Sequence, residues 1–144
     1  MASGFVSRFP GDPAAKVHLA PLDFVVDAIL GALDAPWTVG RTFHLTSPHP
    51  PTVADLFNCD AFFPFGGRRP QLCPAAEFDA STCTPRERDV LDSVSFCFPY
   101  FNSHLSIETS NTRRLLPPPV TDEAYLTRLA RYAVEAGYLQ RMAG

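Results

Sequence analysis

HLAPLDFVVDAILGALDAPWTVGRTFHLTSPHPPTVADLF, residues His18 to Phe57, decides the fold class of this chain. A short stretch with apolar residues at alternate positions, Lys16 to Ala20, leads into it and reads as a strand. Pro21 suits the first turn of a helix, where its missing N–H would lack a partner anyway. Leu22, Val25, Val26, Ile29, Leu30 and Leu33 follow at helical spacing and give one wide apolar stripe. Asp23 stands in the first turn, where the helix dipole favours negative charge, and Pro36 ends the helix. Arg41 to Thr46 alternates polar and apolar, with Phe43 and Leu45 on one face, and reads as a second strand. SPHPP breaks it, and Thr52 then caps a short helix carrying Val53, Leu56 and Phe57 inward, with Asp55 at its third position.

Outward from this block the signals thin and then recover. Asp60 to Ser81 is irregular and aromatic-rich, with Phe62, Phe63, Phe65 and Phe78 and the pair Gly66-Gly67. Such phenylalanines without periodicity pin a loop onto the core or wall a pocket. Thr84-Pro85-Arg86-Glu87 is a capping box, so a helix is expected from there to about Phe98, where Pro99 stops it. His104 to Glu108 alternates as a third short strand. Ser110 to Leu116 reads as a helical turn stopped by Pro117-Pro118-Pro119. Thr121 is the expected cap of a last helix, with Val120 and Tyr125 at the positions of a hydrophobic staple. Tyr125, Leu129, Tyr132, Ala136 and Leu139 form its stripe, and Gly137 offers a stop.

The expectation is one domain over residues 1–144. It divides into a strand-helix-strand-helix block at 16–58, an irregular loop at 59–83 and a helical block at 84–144. The class is α/β, α+β-like, with a few short strands and four to five helices. Those strands are too few for a self-sufficient parallel sheet.

Composition narrows function mainly by exclusion. The 144 residues are 46% apolar and 19% charged, ordinary globular values, with a net charge of −3. Nothing favours nucleic acid or an anionic membrane. No apolar run approaches the roughly 20 residues of a membrane-spanning helix. The opening MASGFVSRFPGDP has no signal-like apolar core, so a cytoplasmic chain with reduced thiols is expected. Cys59, Cys73, Cys83 and Cys97 lack the close pairing of zinc ligands and read as core or loop cysteines. Arg68-Arg69, beside the paired glycines, reads as a solvated pair. His18, His44, His49 and His104 are scattered, no serine stands in a Gly-x-Ser-x-Gly frame, and Asp89 and Asp92 read as an exposed helical pair. No glycine-rich phosphate loop is present, and the single lysine, Lys16, leaves no Tyr-x-x-x-Lys.

Three motifs of the first block are Leu22-Asp23-Phe24-Val25-Val26-Asp27-Ala28-Ile29, Gly40-Arg41-Thr42-Phe43-His44-Leu45 and Pro51-Thr52…Asp55-Leu56. In this order they resemble the C-terminal half of the extended short-chain dehydrogenase/reductases, in the thioester-reductase and fatty-acyl-CoA-reductase branch. The ending from Phe101 to Leu139 is similar to the tail of that branch, with Ile107-Glu108-Thr109-Ser110-Asn111-Thr112 as its turn. The two blocks cover about 80 of 144 residues.

The resemblance implies a substrate-side lobe of an NAD(P)H-dependent acyl-thioester or carbonyl reductase, without the half that carries the nucleotide loop and the catalytic Ser/Thr and Tyr-x-x-x-Lys. No catalytic, cofactor-binding or metal residue is carried over. No cofactor is expected on the chain alone, and NAD(P)H is expected if it is joined to the missing half. Substrate-pocket candidates are Phe62, Phe63, Phe65 and Phe96; Asp23, Asp27 and His44 are inter-lobe candidates. The expected partners are a nucleotide-binding lobe, or a second copy through an apolar helix face, and an acyl or carbonyl small molecule. The other reading is an independent small protein that binds a hydrophobic ligand or docks on a partner as a scaffold.

Overall fold

The computed structural model describes residues 6–62 and 69–138. Within them a two-stranded parallel sheet, β1 (Arg8–Pro10) and β2 (Gln71–Cys73), accompanies five α-helices: α1 (Leu22–Asp34), α2 (Val53–Asn58), α3 (Pro85–Val94), α4 (Ser110–Leu115) and α5 (Glu123–Glu135). Short 3-10 turns fill the joints. The result is the mixed α/β fragment expected, with the helices where the capping and periodicity signals placed them.

The sheet lies where no strand was read. Arg8 pairs with Gln71, Phe9 with Leu72 and Pro10 with Cys73. Three residues a side are too few to show a period, and the partners are more than sixty positions apart. What holds the pair is the aromatic cluster beneath it. Phe9 sits with its ring 5.2 Å from Phe57 and 5.4 Å from both Phe98 and Phe101, the last two edge-on. Val6 and Leu91 complete the buried centre of this core. Edge-to-face rings add roughly 0.5–1.5 kcal/mol a pair beyond the area they bury. Gly11 follows β1 and packs on the same core, where a Cβ would stand in ordinary contact 3.4 Å from Leu72 and 3.5 Å from Phe101.

The three strands read from alternation do not form ladders. Lys16 makes only a single antiparallel bridge to Thr52, and 17–20, 41–46 and 104–108 carry no strand pairing. Alternation marks a strand only when a neighbour supplies a run of matching N–H and C=O groups; here Val17 N–H reaches Pro51 O and Lys16 N–H reaches Ser103 O, but no ladder follows among the described residues.

Both capping boxes form. Thr52 accepts from Asp55 N–H at 3.1 Å while the Asp55 carboxylate takes the Thr52 N–H at 2.7 Å. Thr84 and Glu87 repeat the exchange at 3.2 and 2.9 Å. The helix begun at Thr84 stops short of Phe98: α3 ends at Val94 and tightens into a 3-10 turn at Ser95–Cys97.

The last helix starts one residue later than read. Asp122, not Thr121, is its cap, accepting Tyr125 N–H at 2.9 Å. Its inward residues are Leu126 and Ala130, while Leu129 and Tyr132 of the expected stripe stay exposed. Ala130 lacks a long side chain, so α5 can lie close against the 3-10 turn at Asp60–Phe62 on which it packs. Gly137, at φ 78°, ends the helix in a Schellman motif, with Gly137 N–H on Val134 O and Tyr138 N–H on Ala133 O.

Candidate functional site

α1 is the element whose burial contradicts its sequence most. The stripe at Leu22, Val25, Val26, Ile29, Leu30 and Leu33 should face the core, yet only Val25 of it is half-buried, while Leu22 is 79% exposed, Ile29 52% and Leu33 77%. The helix buries Phe24 and Ala28 instead and packs on α4. Gly31 faces Leu115, where a Cβ would make contact at 3.4 Å. Small residues let α1 lie against α4, and the broad apolar face is left outward. An open apolar face of that kind is a candidate interface.

Asp23 and Asp27, the inter-lobe candidates on α1, are exposed. Asp23 turns back to its own first turn, accepting Phe24 N–H at 2.9 Å. His44 lies at the other end of the same region, and its ring Nδ1 is 2.9 Å from Glu108 O. Its carbonyl accepts the Thr112 hydroxyl at 2.9 Å, and Thr42 O accepts from Asn111 Nδ2 at 2.9 Å. The two sequence blocks that carry the resemblance therefore meet here: Asn111 and Thr112 of α4 hold residues 42–44 by their carbonyls. No separate signal for these two holding roles existed in the sequence. Trp37 was also missed. It lies 5.7 Å from the Phe43 ring, with the Arg114 guanidinium 4.6 Å from its centroid and Arg41 at 5.9 Å.

Two of the pocket candidates fall within the described residues. Phe62 is half-buried in the 3-10 turn under α5, Phe96 is exposed in the turn after α3, and Phe63 and Phe65 lie outside the described residues. Gly66, Gly67 and Arg68 lie outside them too, while Arg69 makes an ion pair with Asp60. A concave feature lies elsewhere among the described residues, a cleft of about 420 Å³ between the end of α2 and the start of α5. Its lining includes Asp55, Asp122, Glu123, His49, Cys59 and Leu126. Asp55 there is held below the usual carboxylate range by the Thr52 N–H and hydroxyl. The sequence marked both helix starts but not that helix ends would converge.

Among the described residues no three His, Cys, Asp or Glu side chains stand close enough to hold a metal ion. Among the described residues the turn after β1 is where a parallel strand meets a glycine, and Gly11 there is buried against side chains. Asp12 follows it, its carboxylate held ionised by the Ala14 N–H, where it would repel a phosphate. No helix among the described residues is long and apolar enough to cross a membrane.

No family model matches the chain, and no curated protein matches it. Among solved structures it is similar to the terminal R domain from the myxalamid PKS-NRPS biosynthetic pathway, with a TM-score of 0.65 and 19% identity. The match covers 93% of this chain and 36% of that one, so the chain spans little more than a third of the R domain's length. Almost all of this chain thus has the fold of part of that domain.

Proposed function

We propose that this chain is the substrate-side lobe of an NAD(P)H-dependent acyl-thioester or carbonyl reductase, and that it works only when paired with a nucleotide-binding lobe. One observation carries the reading: nearly the whole chain superposes on about a third of the R domain, while the apolar face of α1 stands uncovered. The order of motifs in the sequence supports it independently. In this reading the nicotinamide nucleotide arrives on the partner and supplies the hydride. The present chain contributes the wall against which the acyl group lies and the α1 face that seals the join. Phe62 and Phe96 are the described residues proposed for that wall, and His44 is a positioning residue that fixes residues 42–44 at the join. The reading as a self-contained carrier of a hydrophobic ligand has less support, since the cleft is bordered by carboxylates.

The test uses the full chain alone. Titrated with NADPH it should show no micromolar binding, and with an acyl-pantetheine thioester it should form a complex detectable by native mass spectrometry. Consumption of NADPH on a carbonyl substrate by the chain alone, or absence of any thioester complex, would overturn the reading.

A further inference from the structure

We infer that the cleft between α2 and α5 is a binding site for a small organic cation, a primary ammonium group carried on a short apolar chain. The inference stands apart from the function proposed above and does not depend on it. Its first support is charge. Asp55, Asp122 and Glu123 border the cleft, with His49 as the basic residue of the lining. None of the three carboxylates makes an ion pair among the described residues, and Lys16 acts on Asp55 only through space. Their oxygens are not used up by the capping bonds. Asp55 takes the Thr52 N–H and hydroxyl on Oδ2 alone, and Asp122 takes the Tyr125 N–H on Oδ1 alone. Glu123, in the first turn of α5, accepts no hydrogen bond among the described residues. The start of α5 carries about half a positive charge from its dipole, which the two full carboxylate charges there outweigh.

The second support is Thr121. It lines the cleft and is 3% exposed, and its hydroxyl has no hydrogen-bond partner among the described residues. Buried polar groups in folded proteins are almost always paired, and an ammonium N–H reaching the floor of the cleft would pair this one. The rest of the lining fits the stem. Pro50, Pro51 and Leu126 offer it an apolar wall, and about 420 Å³ falls within the roughly 300–1,000 Å³ of small-molecule pockets. A bare metal ion is the poorer occupant. Hard cations draw about six or more oxygens onto one point, and among the described residues no three His, Cys, Asp or Glu side chains come close enough to do so. An anion would meet three like charges.

Amide NMR of the isotope-labelled full chain tests the site, with hexylamine as the probe and hexanol and hexanoate as controls of equal length. Hexylamine should bind at least about tenfold more tightly than hexanol, the scale of one charge-assisted hydrogen bond. Its shifts should be confined to residues 49–59 and 121–126, which carry the lining, and added salt should weaken it. Thr121→Val keeps the shape of the side chain and removes the hydroxyl, so it should weaken hexylamine by about tenfold. Glu123→Gln, at an exposed position, should weaken it by only about threefold. Five outcomes would each overturn the inference: no binding of hexylamine, hexanol bound as tightly, hexanoate bound more tightly than either, shifts centred outside the cleft, or a folded Thr121→Val variant that binds hexylamine as wild type does.

Discussion

Glu87 does three things with one carboxylate. It closes the capping box on Thr84, it accepts the Thr84 hydroxyl, and its second oxygen takes Ser7 N–H at 2.8 Å, which ties the start of β1 to α3. The Thr84 N–H first, and then Ser7, hold its pKa down from 4.5 to about 2. A carboxyl whose folded value is depressed contributes stability in full above its unfolded value and loses it as pH falls through the folded one. The window here is therefore about pH 4.5 down to about 2. Glu87→Gln should melt below wild type at pH 7, and the gap should close on acidification through that window in thermal melts. A gap constant with pH would mean that the carboxylate charge contributes nothing. The sequence announced the capping box but not the Ser7 bond, which joins residues 80 positions apart.

At the scale of the element, α5 separates what a cap does from what a cap looks like. Thr121 and Asp122 are adjacent and both suit the role. The structure gives it to Asp122 and leaves the Thr121 hydroxyl buried without a partner. The residues this helix buries are Leu126 and Ala130. Asp122→Ala should cost about 1 kcal/mol. Thr121→Val, which removes an unsatisfied hydroxyl at nearly constant shape, should cost nothing or stabilise. Urea denaturation of the two variants distinguishes the assignments, since a Thr121 cap would reverse their order. α1 teaches the same lesson from the other side. Its periodicity was fully legible, but periodicity says only that one face is apolar. That the buried face is Phe24 and Ala28 is decided by the packing of the helix on the rest of the chain, α4 included.

For the whole molecule the core is small for the chain. Among the described residues eleven apolar residues are buried and thirteen large ones are exposed, so much of the apolar surface must find cover elsewhere or stay wet. The described core depends on few centres, and Phe9 is the chief one, touching three other rings across residues 57 to 101. Phe9→Ala should cost about 3–5 kcal/mol, a large part of the roughly 5–15 kcal/mol by which domains are stable. Loss of a cooperative urea transition, or a midpoint lowered by that amount, is the expected result. An unchanged midpoint would show that the aromatic cluster is not the centre of stability.

What the sequence determined by itself is local. Helix starts at Thr52 and Thr84, the stop at Gly137 and the spans of α1 and α4 are set by residues within a turn or two of one another, and all were readable. The order of motifs in two blocks also pointed to part of a larger reductase fold, and the fold likeness agrees. Tertiary structure alone decided which extended segments pair, which face of α1 is buried, where the cleft lies and that Asn111 and Thr112 grip residues 42–44. Those outcomes depend on partners distant in the chain. An alternating segment such as Arg41 to Thr46 becomes a strand only where another backbone arrives to bond it, and its own residues cannot supply that.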